Sequence, residues 1–343
     1  MMVGMRSTRS VSAEAPRDAP AHRDAPATSD APATGDVAPV VHARSTALLL
    51  LALVSIVWGV HWAVVKIGLD YMPPMTYGAM RIALGLATVV AISAARGRLR
   101  LPPRSDLPIV ASVGLLQVAG GVLIMNLALQ VVPAGRSAVL VYTQPLWVAV
   151  LLAAAFRIPP LRNELLGLVL GIAGLLLLLN PAVIDWSSPA EVAGTLALLL
   201  NAVLWAVVSI HIRRHAWTAS PFELQPWQLL VALVPLAVAA VVLEAGRAVT
   251  WGLPTVLILL YSGPLATGFA SWGSQAVTRS LGAQASATGF LAVPVIGLLS
   301  GWLILGEQLG VVDVVAFGLV LTGIAATSLS PRRVDAPAAE ATT

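Results

Sequence analysis

The sequence predicts an all-α membrane protein, with ten transmembrane helices arranged as two inverted five-helix repeats. Three observations carry that prediction. Apolar residues make up 58% of the 343 and charged residues 10%, whereas a soluble globular domain carries roughly 25% charged residues. The apolar residues gather in continuous runs, most of them near the ~20 residues a helix needs to cross ~30 Å of hydrocarbon. The second half of the chain also repeats the first, at offsets of 147 and 149 residues.

Residues 1–44 form a separate regime of Ala, Pro, Asp, Arg and Ser, with Asp-Ala-Pro-Ala at 18–21, 24–27 and 30–33. So little apolar surface cannot offset the entropy of ordering, and a disordered cytoplasmic tail is expected. The first apolar run begins after residue 45. No small-residue cleavage pattern follows it, so a cleavable signal peptide is not expected. Two repeats are placed at 45–182 and 183–330, with a short cytoplasmic tail at 331–343.

The spans are read at 46–67, 74–95, 107–131, 134–156, 163–180, 190–211, 226–243, 253–276, 284–305 and 311–329. Breaks such as Pro73-Pro74, Pro102-Pro103, Pro159-Pro160, Pro181 and Pro221 separate them. In lipid, backbone groups are satisfied by helices or by closed barrels. Barrel strands would alternate over ~10 residues, and these runs do not. With the N-terminus inside, twelve basic residues fall on the cytoplasmic side, among them Arg96, Arg98, Arg157, Arg213 and Arg279. The opposite side has three, Lys66, Arg136 and Arg247. That bias predicts an inner-membrane protein with both termini cytoplasmic.

The basic residues stand between apolar runs rather than in a patch, and 19 of the 20 are Arg. This suits loops at a membrane rather than a nucleic-acid partner, and none is expected. With no cysteine in the chain, disulfides and thiolate chemistry are excluded. His211 and His215 have metal-ligand spacing, but Arg213 and Arg214 lie between them and no third ligand is at hand. No metal, cofactor or catalytic site is expected.

The repeat is carried by an ordered set of matches. At 147, Trp58 falls on Trp205, Lys66 on Arg213 and Pro74 on Pro221. At 149, Gly114 falls on Gly263, Asn126 on Gln275, Ser137 on Ser286, Pro145 on Pro294 and Glu164 on Asp313. A unit of five helices is odd, so the second copy must be upside down. Inverted repeats recur in secondary transporters, whose substrate site lies near the midplane between the halves.

Polar residues inside the spans are the site candidates, because such groups should face the bundle interior or a wet cavity. His61 shares one side of the first helix with Trp58 and Trp62. That face suits stacking on a cargo or proton coupling, or hydrogen bonds to a neighbouring helix. Lys66, at a helix end, snorkels or takes a substrate role; at the helix centre a cation would cost about 2.5–3.5 kcal/mol. Arg81 lies about seven residues into its helix, roughly 10 Å deep at 1.5 Å per residue, with Tyr77 one turn before it. It pairs structurally or binds an anionic substrate group. Trp205 and Asn201 repeat the aromatic-polar stripe in the sixth helix. Asn126, Tyr142, Gln144, Ser271 and Gln275 complete the candidate substrate-binding set, with Asn126 and Gln275 expected to converge on one site. Pro145 and Pro294 predict kinks in equivalent helices. Gly167, Gly171, Gly174, Gly318 and Gly323 predict smooth, close-packing faces, a homodimer contact among their uses.

Three stretches carry a family resemblance. They are Val57-Trp58-Gly59-Val60-His61-Trp62-Ala63, Met80-Arg81-Ile82-Ala83, and Leu305-Gly306-Glu307-Gln308-Leu309 followed by Phe317-Gly318-Leu319-Val320 and Gly323-Ile324. Over roughly residues 46–330 the chain resembles the EamA family of the drug/metabolite transporter superfamily. One departure is Phe156-Arg157-Ile158-Pro159, which stands where the Gly-Glu junction would recur in the first half. The resemblance implies a ten-helix carrier of amino acids, other small metabolites or organic cations. The expectation is therefore a secondary transporter, an exporter of small metabolites working by alternating access, with His61 and Glu307 as coupling candidates. Competing readings are efflux of organic cations, a lipid-linked enzyme and a non-transporting interaction protein.

Overall fold

The computed structural model describes residues 44–180, 184–281 and 283–328. The tails set apart in the sequence, up to residue 43 and from 331, lie outside these residues. The described chain is helical, with no strand among the described residues. Its helices are α1 Arg44–Gly68, α2 Pro74–Ala95, α3 Arg104–Ala128, α4 Ala134–Phe156, α5 Arg162–Leu178, α6 Pro189–Arg214, α7 Pro221–Leu243, α8 Leu253–Leu281, α9 Ala283–Gly289, α10 Ala292–Leu305 and α11 Val311–Ser328. Eight of these are long and apolar enough to cross a membrane: α1 to α4, α6 to α8, and α11. The chain is a multi-pass membrane protein. α5, at 17 residues, and α10, at 14, are shorter.

Helix starts follow local chemistry. The seventh apolar run is expected from residue 226, yet α7 begins at Pro221. Ser220 caps it, accepting from the Glu223 amide, while Glu223 Oε2 accepts from the Ser220 amide at 2.9 Å. Proline is tolerated at the first helical position because the amide it lacks would be unpaired there. The ninth run is expected as one helix over 284–305, but it divides into α9 and α10 just before Pro294. α4 is likewise interrupted at Thr143, just before Pro145. A proline removes one helical hydrogen bond and its ring crowds the carbonyl four residues back. At Thr143 the hydroxyl donates to the Leu140 carbonyl at 2.6 Å and accepts the Trp147 indole N–H at 3.2 Å.

The packing partners of the helices are specific. α2 packs on α7 and α5 on α11; α4 packs on α10. α1 lies against α8 and α10, while α6 lies against α3 and α4. α2 and α7 run antiparallel, since Met75 meets Glu244 at the start of α2 and Gly78 meets Leu236 further in. Lipid offers no hydrophobic drive between helices, so close van der Waals approach holds them. On α5 and α11 this is direct. A Cβ added at Gly167 would stand 2.6 Å from the Gly323 carbonyl oxygen, and one at Gly174 would stand 2.7 Å from that of Ala316. These glycines are used within the chain, so a dimer contact would have to use another face. Gly318 has open space around it.

Candidate functional site

Both α3 and α8 contain a nine-residue π-helical segment, Ser112–Gly120 and Tyr261–Phe269. The two stretches are separated by the same 149-residue offset that aligns Gly114 with Gly263. A π-turn widens the helix and leaves carbonyls poorly satisfied within it; such bulges are frequent at functional sites. Each segment receives an indole. Trp58 Nε1 donates to the Ala266 carbonyl at 3.0 Å, and Trp205 Nε1 donates to the Gln117 carbonyl at 3.2 Å. Ala266 and Gln117 are again 149 apart. The N–H of both tryptophans is thus engaged by a neighbouring helix, one of the two roles the sequence allowed for this stripe.

Around the α8 segment the structure gathers a polar cluster from three helices. Tyr77 of α2 hydrogen-bonds Ser262 of α8 through their hydroxyls at 2.6 Å. Arg81, one turn further along α2, donates from Nη1 to His61 Nε2 of α1 at 3.1 Å. Its guanidinium carbon lies 6.0 Å from the centre of the Tyr77 ring. The His61 ring lies 6.1 Å from that of Tyr261, whose hydroxyl donates to the Val57 carbonyl at 2.8 Å. An arginine has no acceptor, so this contact requires a neutral His61 whose proton is on Nδ1. Arg81 is 5% exposed, and its Nε is buried without a hydrogen-bond partner. Among the described residues no carboxylate forms an ion pair with it. An uncompensated buried cation is destabilising, because few dipoles replace the water it gave up.

A second polar group joins α3, α4 and α6. Gln144 Nε2 hydrogen-bonds Ser209 Oγ and reaches the Trp205 carbonyl at 3.5 Å. Asn201 Oδ1 is buried without a partner and would stand 3.5 Å from a Cβ at Gly121, which also adjoins the Trp205 indole. Tyr142, Trp62 and Ser271 line neither cluster through a hydrogen bond; Trp62 packs in the core with Tyr77, Leu129 and Phe317. Asn126 donates to the Pro74 carbonyl at 2.7 Å, at the start of α2. Gln275 lies beside Gly273, which meets Leu50 and Val54 near the start of α1. Gly68, at the far end of α1, meets Tyr77. The structure therefore does not bring Asn126 and Gln275 together; they stand toward opposite ends of the bundle.

Carboxylates hold helix ends. Glu307 accepts the amides of Ala134 and Gly135, at 2.6 and 3.0 Å, and pairs with Lys66 at 3.1 Å. A carboxylate at a helix N-terminus satisfies free amides and opposes the helix dipole. Lys66 therefore neither snorkels alone nor reaches the polar cluster; it closes α1 onto α4 and α10. Glu244 accepts the amides of Met75 and Thr76 at 3.0 and 2.8 Å, and the Thr76 hydroxyl at 2.8 Å. At the other end of the α2–α7 pair, Asp106 accepts the amides of Thr218 and Ala219 at 3.2 and 2.7 Å. His215 Nε2 lies 2.8 Å from Asp106 Oδ1, and His211 Nδ1 lies 2.8 Å from Ser112 Oγ. Each histidine has its own neighbour, and they share no metal-like cluster among the described residues.

Sequence reasoning missed Tyr261 and Ser262, which sit in an apolar run with no charge to mark them. The repeat was the available signal, since Pro264 follows a glycine aligned with Gly114. It also missed Asp106 and Glu244, although each is an acid beside a helix terminus.

The described EamA-like transporter family model matches residues 45–180 and again 192–329. An uncharacterized transporter, YoaV of Bacillus subtilis, is 27% identical over 273 residues, covering 79% of this chain and 92% of its own. A probable amino-acid metabolite efflux pump of Salmonella typhimurium is 28% identical over 283 residues, covering 79% and 91%. An uncharacterized inner membrane transporter, YedA of Escherichia coli, is 28% identical over 284 residues, covering 80% and 88%. A solved crystal structure superposes with a TM-score of 0.58 at 23% identity, over 86% of this chain and all of that one, a likeness of fold.

Proposed function

The chain belongs to the EamA-like transporter family, and on that premise we propose that it is a secondary carrier exporting small metabolites, amino acids or related compounds, across the inner membrane. It works by alternating access between two inverted five-helix repeats, with both termini cytoplasmic. α5 counts as a span on this reading, since 17 residues is within the usual range for crossing the hydrocarbon core. α9 and α10 together form another.

The observation that carries this reading is the pair of indole bonds into the two π segments. Repeated geometry at the same offset, in helices of both halves, fits two copies of one unit. The antiparallel contact of α2 with α7 fits their inversion. The helix packing fits it too, since α1 on α8 and α10 is mirrored by α6 on α3 and α4. Two such halves have two related arrangements of comparable energy, open to opposite sides. The polar cluster of His61, Tyr77, Arg81, Tyr261 and Ser262 is the substrate site on this reading. Trp58 borders it. Asn201, Trp205 and Gln144 line the opposite wall. His61 is the coupling residue, and Glu307 with Lys66 forms a rim contact.

Export as the direction is supported by the efflux names of the relatives. The test is flux in proteoliposomes loaded with a panel of amino acids, nucleosides, polyamines and quaternary cations. Counterflow of at least one amino acid above protein-free vesicles is expected. No flux of any member sinks the carrier reading.

A further inference from the structure

The pseudo-repeat supplies an internal control for Arg81. At the 147 offset, Arg81 corresponds to Gln228, His61 to Val208 and Tyr77 to Leu224; at 149, Ser262 corresponds to Val113. Leu224, Val208 and Val113 are all buried, in one apolar cluster. The same helix junction is thus closed in the second half without any charge. Packing of a second helix against a first and a third does not require the cation.

What remains is a buried guanidinium with a vacant Nε, hydrogen-bonded to a neutral ring, beside a widened π-turn. The guanidinium is a planar fork that matches a carboxylate with two parallel N–H···O bonds. Resting on the carrier reading above, we propose that Arg81 is the specificity-determining residue for a carboxylate on the cargo. The carrier takes small carboxylates, amino acids among them, and rejects their amides and permanent organic cations. A cation lacking an anionic group would meet Arg81 as a like charge in a poorly screened interior. His61 takes Nη1 through its Nε2 and holds the guanidinium in place, while Nε is left without a protein partner.

The experiment compares each amino acid with its own amide, using leucine and leucinamide, phenylalanine and phenylalaninamide, with tetraphenylphosphonium as the cation. Two readouts are taken on the full-length protein: thermal stabilisation in detergent and flux in proteoliposomes. Acids are expected to stabilise the wild type and to be carried, with amides and the cation at least tenfold weaker. Arg81→Gln should lose at least tenfold in apparent affinity for the acid. Arg81→Lys should recover part of it, since charge returns without the fork. Amides equal to acids in the wild type overturn the proposal. So does an Arg81→Gln variant with undiminished acid affinity. Flux of the cation or the amides that is unchanged in Arg81→Gln overturns it while leaving the carrier reading intact. If Arg81→Gln does not fold, the acid-to-amide ratio of the wild type and of Arg81→Lys decides, a ratio near one in both counting against it. Acid-specific stabilisation without any flux supports the anion site and sinks the carrier reading.

Discussion

Arg157 ends α4 in the left-handed region, at φ 55° and ψ 28°, and Gly306 ends α10 at φ 68° and ψ 21°. They are 149 residues apart, so the first half places an arginine where the second has glycine. A side chain with a Cβ pays roughly 1–2 kcal/mol in that region, and glycine does not. Arg157→Gly should therefore raise the stability of the detergent-solubilised protein by about 1 kcal/mol, less the entropy glycine adds to the unfolded chain. Thermal unfolding checks this, and a lower midpoint would show that the arginine side chain supplies a compensating contact. His61 makes a different prediction. Glutamine can accept from Arg81 through its amide oxygen but cannot titrate. His61→Gln should thus retain carriage while losing its response to a pH gradient, if His61 couples. An unaltered profile in proteoliposome flux would remove His61 from coupling. At this scale Arg81 and His61 were legible because a polar group in an apolar run stands out. Their contact was not, since nothing in two separate runs says which faces meet.

Helix existence was legible almost throughout, because ~20-residue apolar runs leave lipid-spanning chain few alternatives. Winding within a helix was not. The segments Ser112–Gly120 and Tyr261–Phe269 read as ordinary apolar helix, and hydropathy does not distinguish a π-turn from an α-turn. The start of α7 was read late because its first turn carries Glu223, which lowers hydropathy although it builds the cap. The break before Pro294 was legible as a kink but not as a complete interruption. The indole bonds into the π segments make a prediction at this level. Trp58→Phe and Trp205→Phe should each destabilise by about 0.6 kcal/mol, the average for hydrogen bonds between membrane helices, and by no more than about 1.7 kcal/mol. Because the two sites lie on different helix pairs, the double variant should sum to within ~0.5 kcal/mol in thermal or chaotrope unfolding. A strong departure from additivity would mean that the two segments move as a unit.

The molecule as a whole is tied differently at its two ends. Glu244 ties the end of α7 to the start of α2, and Asp106 ties the start of α3 to the entry of α7, each accepting two backbone amides of the opposite half. Hydrogen bonds to a charged group are worth about 1.5–3 kcal/mol. The chain has no cysteine, so a single introduced thiol reports on one place alone. Glu244→Gln should speed labelling at Met72→Cys and leave Phe222→Cys unchanged, while Asp106→Asn should do the reverse. Equal acceleration at both positions would make these carboxylates general stabilisers rather than local ties. These ties were not legible in the sequence, because a capping acid has no signature beyond its place next to a helix end.

The third tie, at Glu307, has no carboxylate at the matching place in the first half. Glu307 binds Lys66 and the start of α4, while the residue 149 positions earlier is Ile158. On the proposed carrier reading the two rims are held by different contacts, so the two states are unequally populated at rest. A cargo approaching the rim held by Glu307 meets a binding-competent state only part of the time, and its apparent affinity falls by that fraction. Influx and efflux would then saturate at different concentrations, although no energy source distinguishes them, and Glu307→Gln should draw the two half-saturation values together.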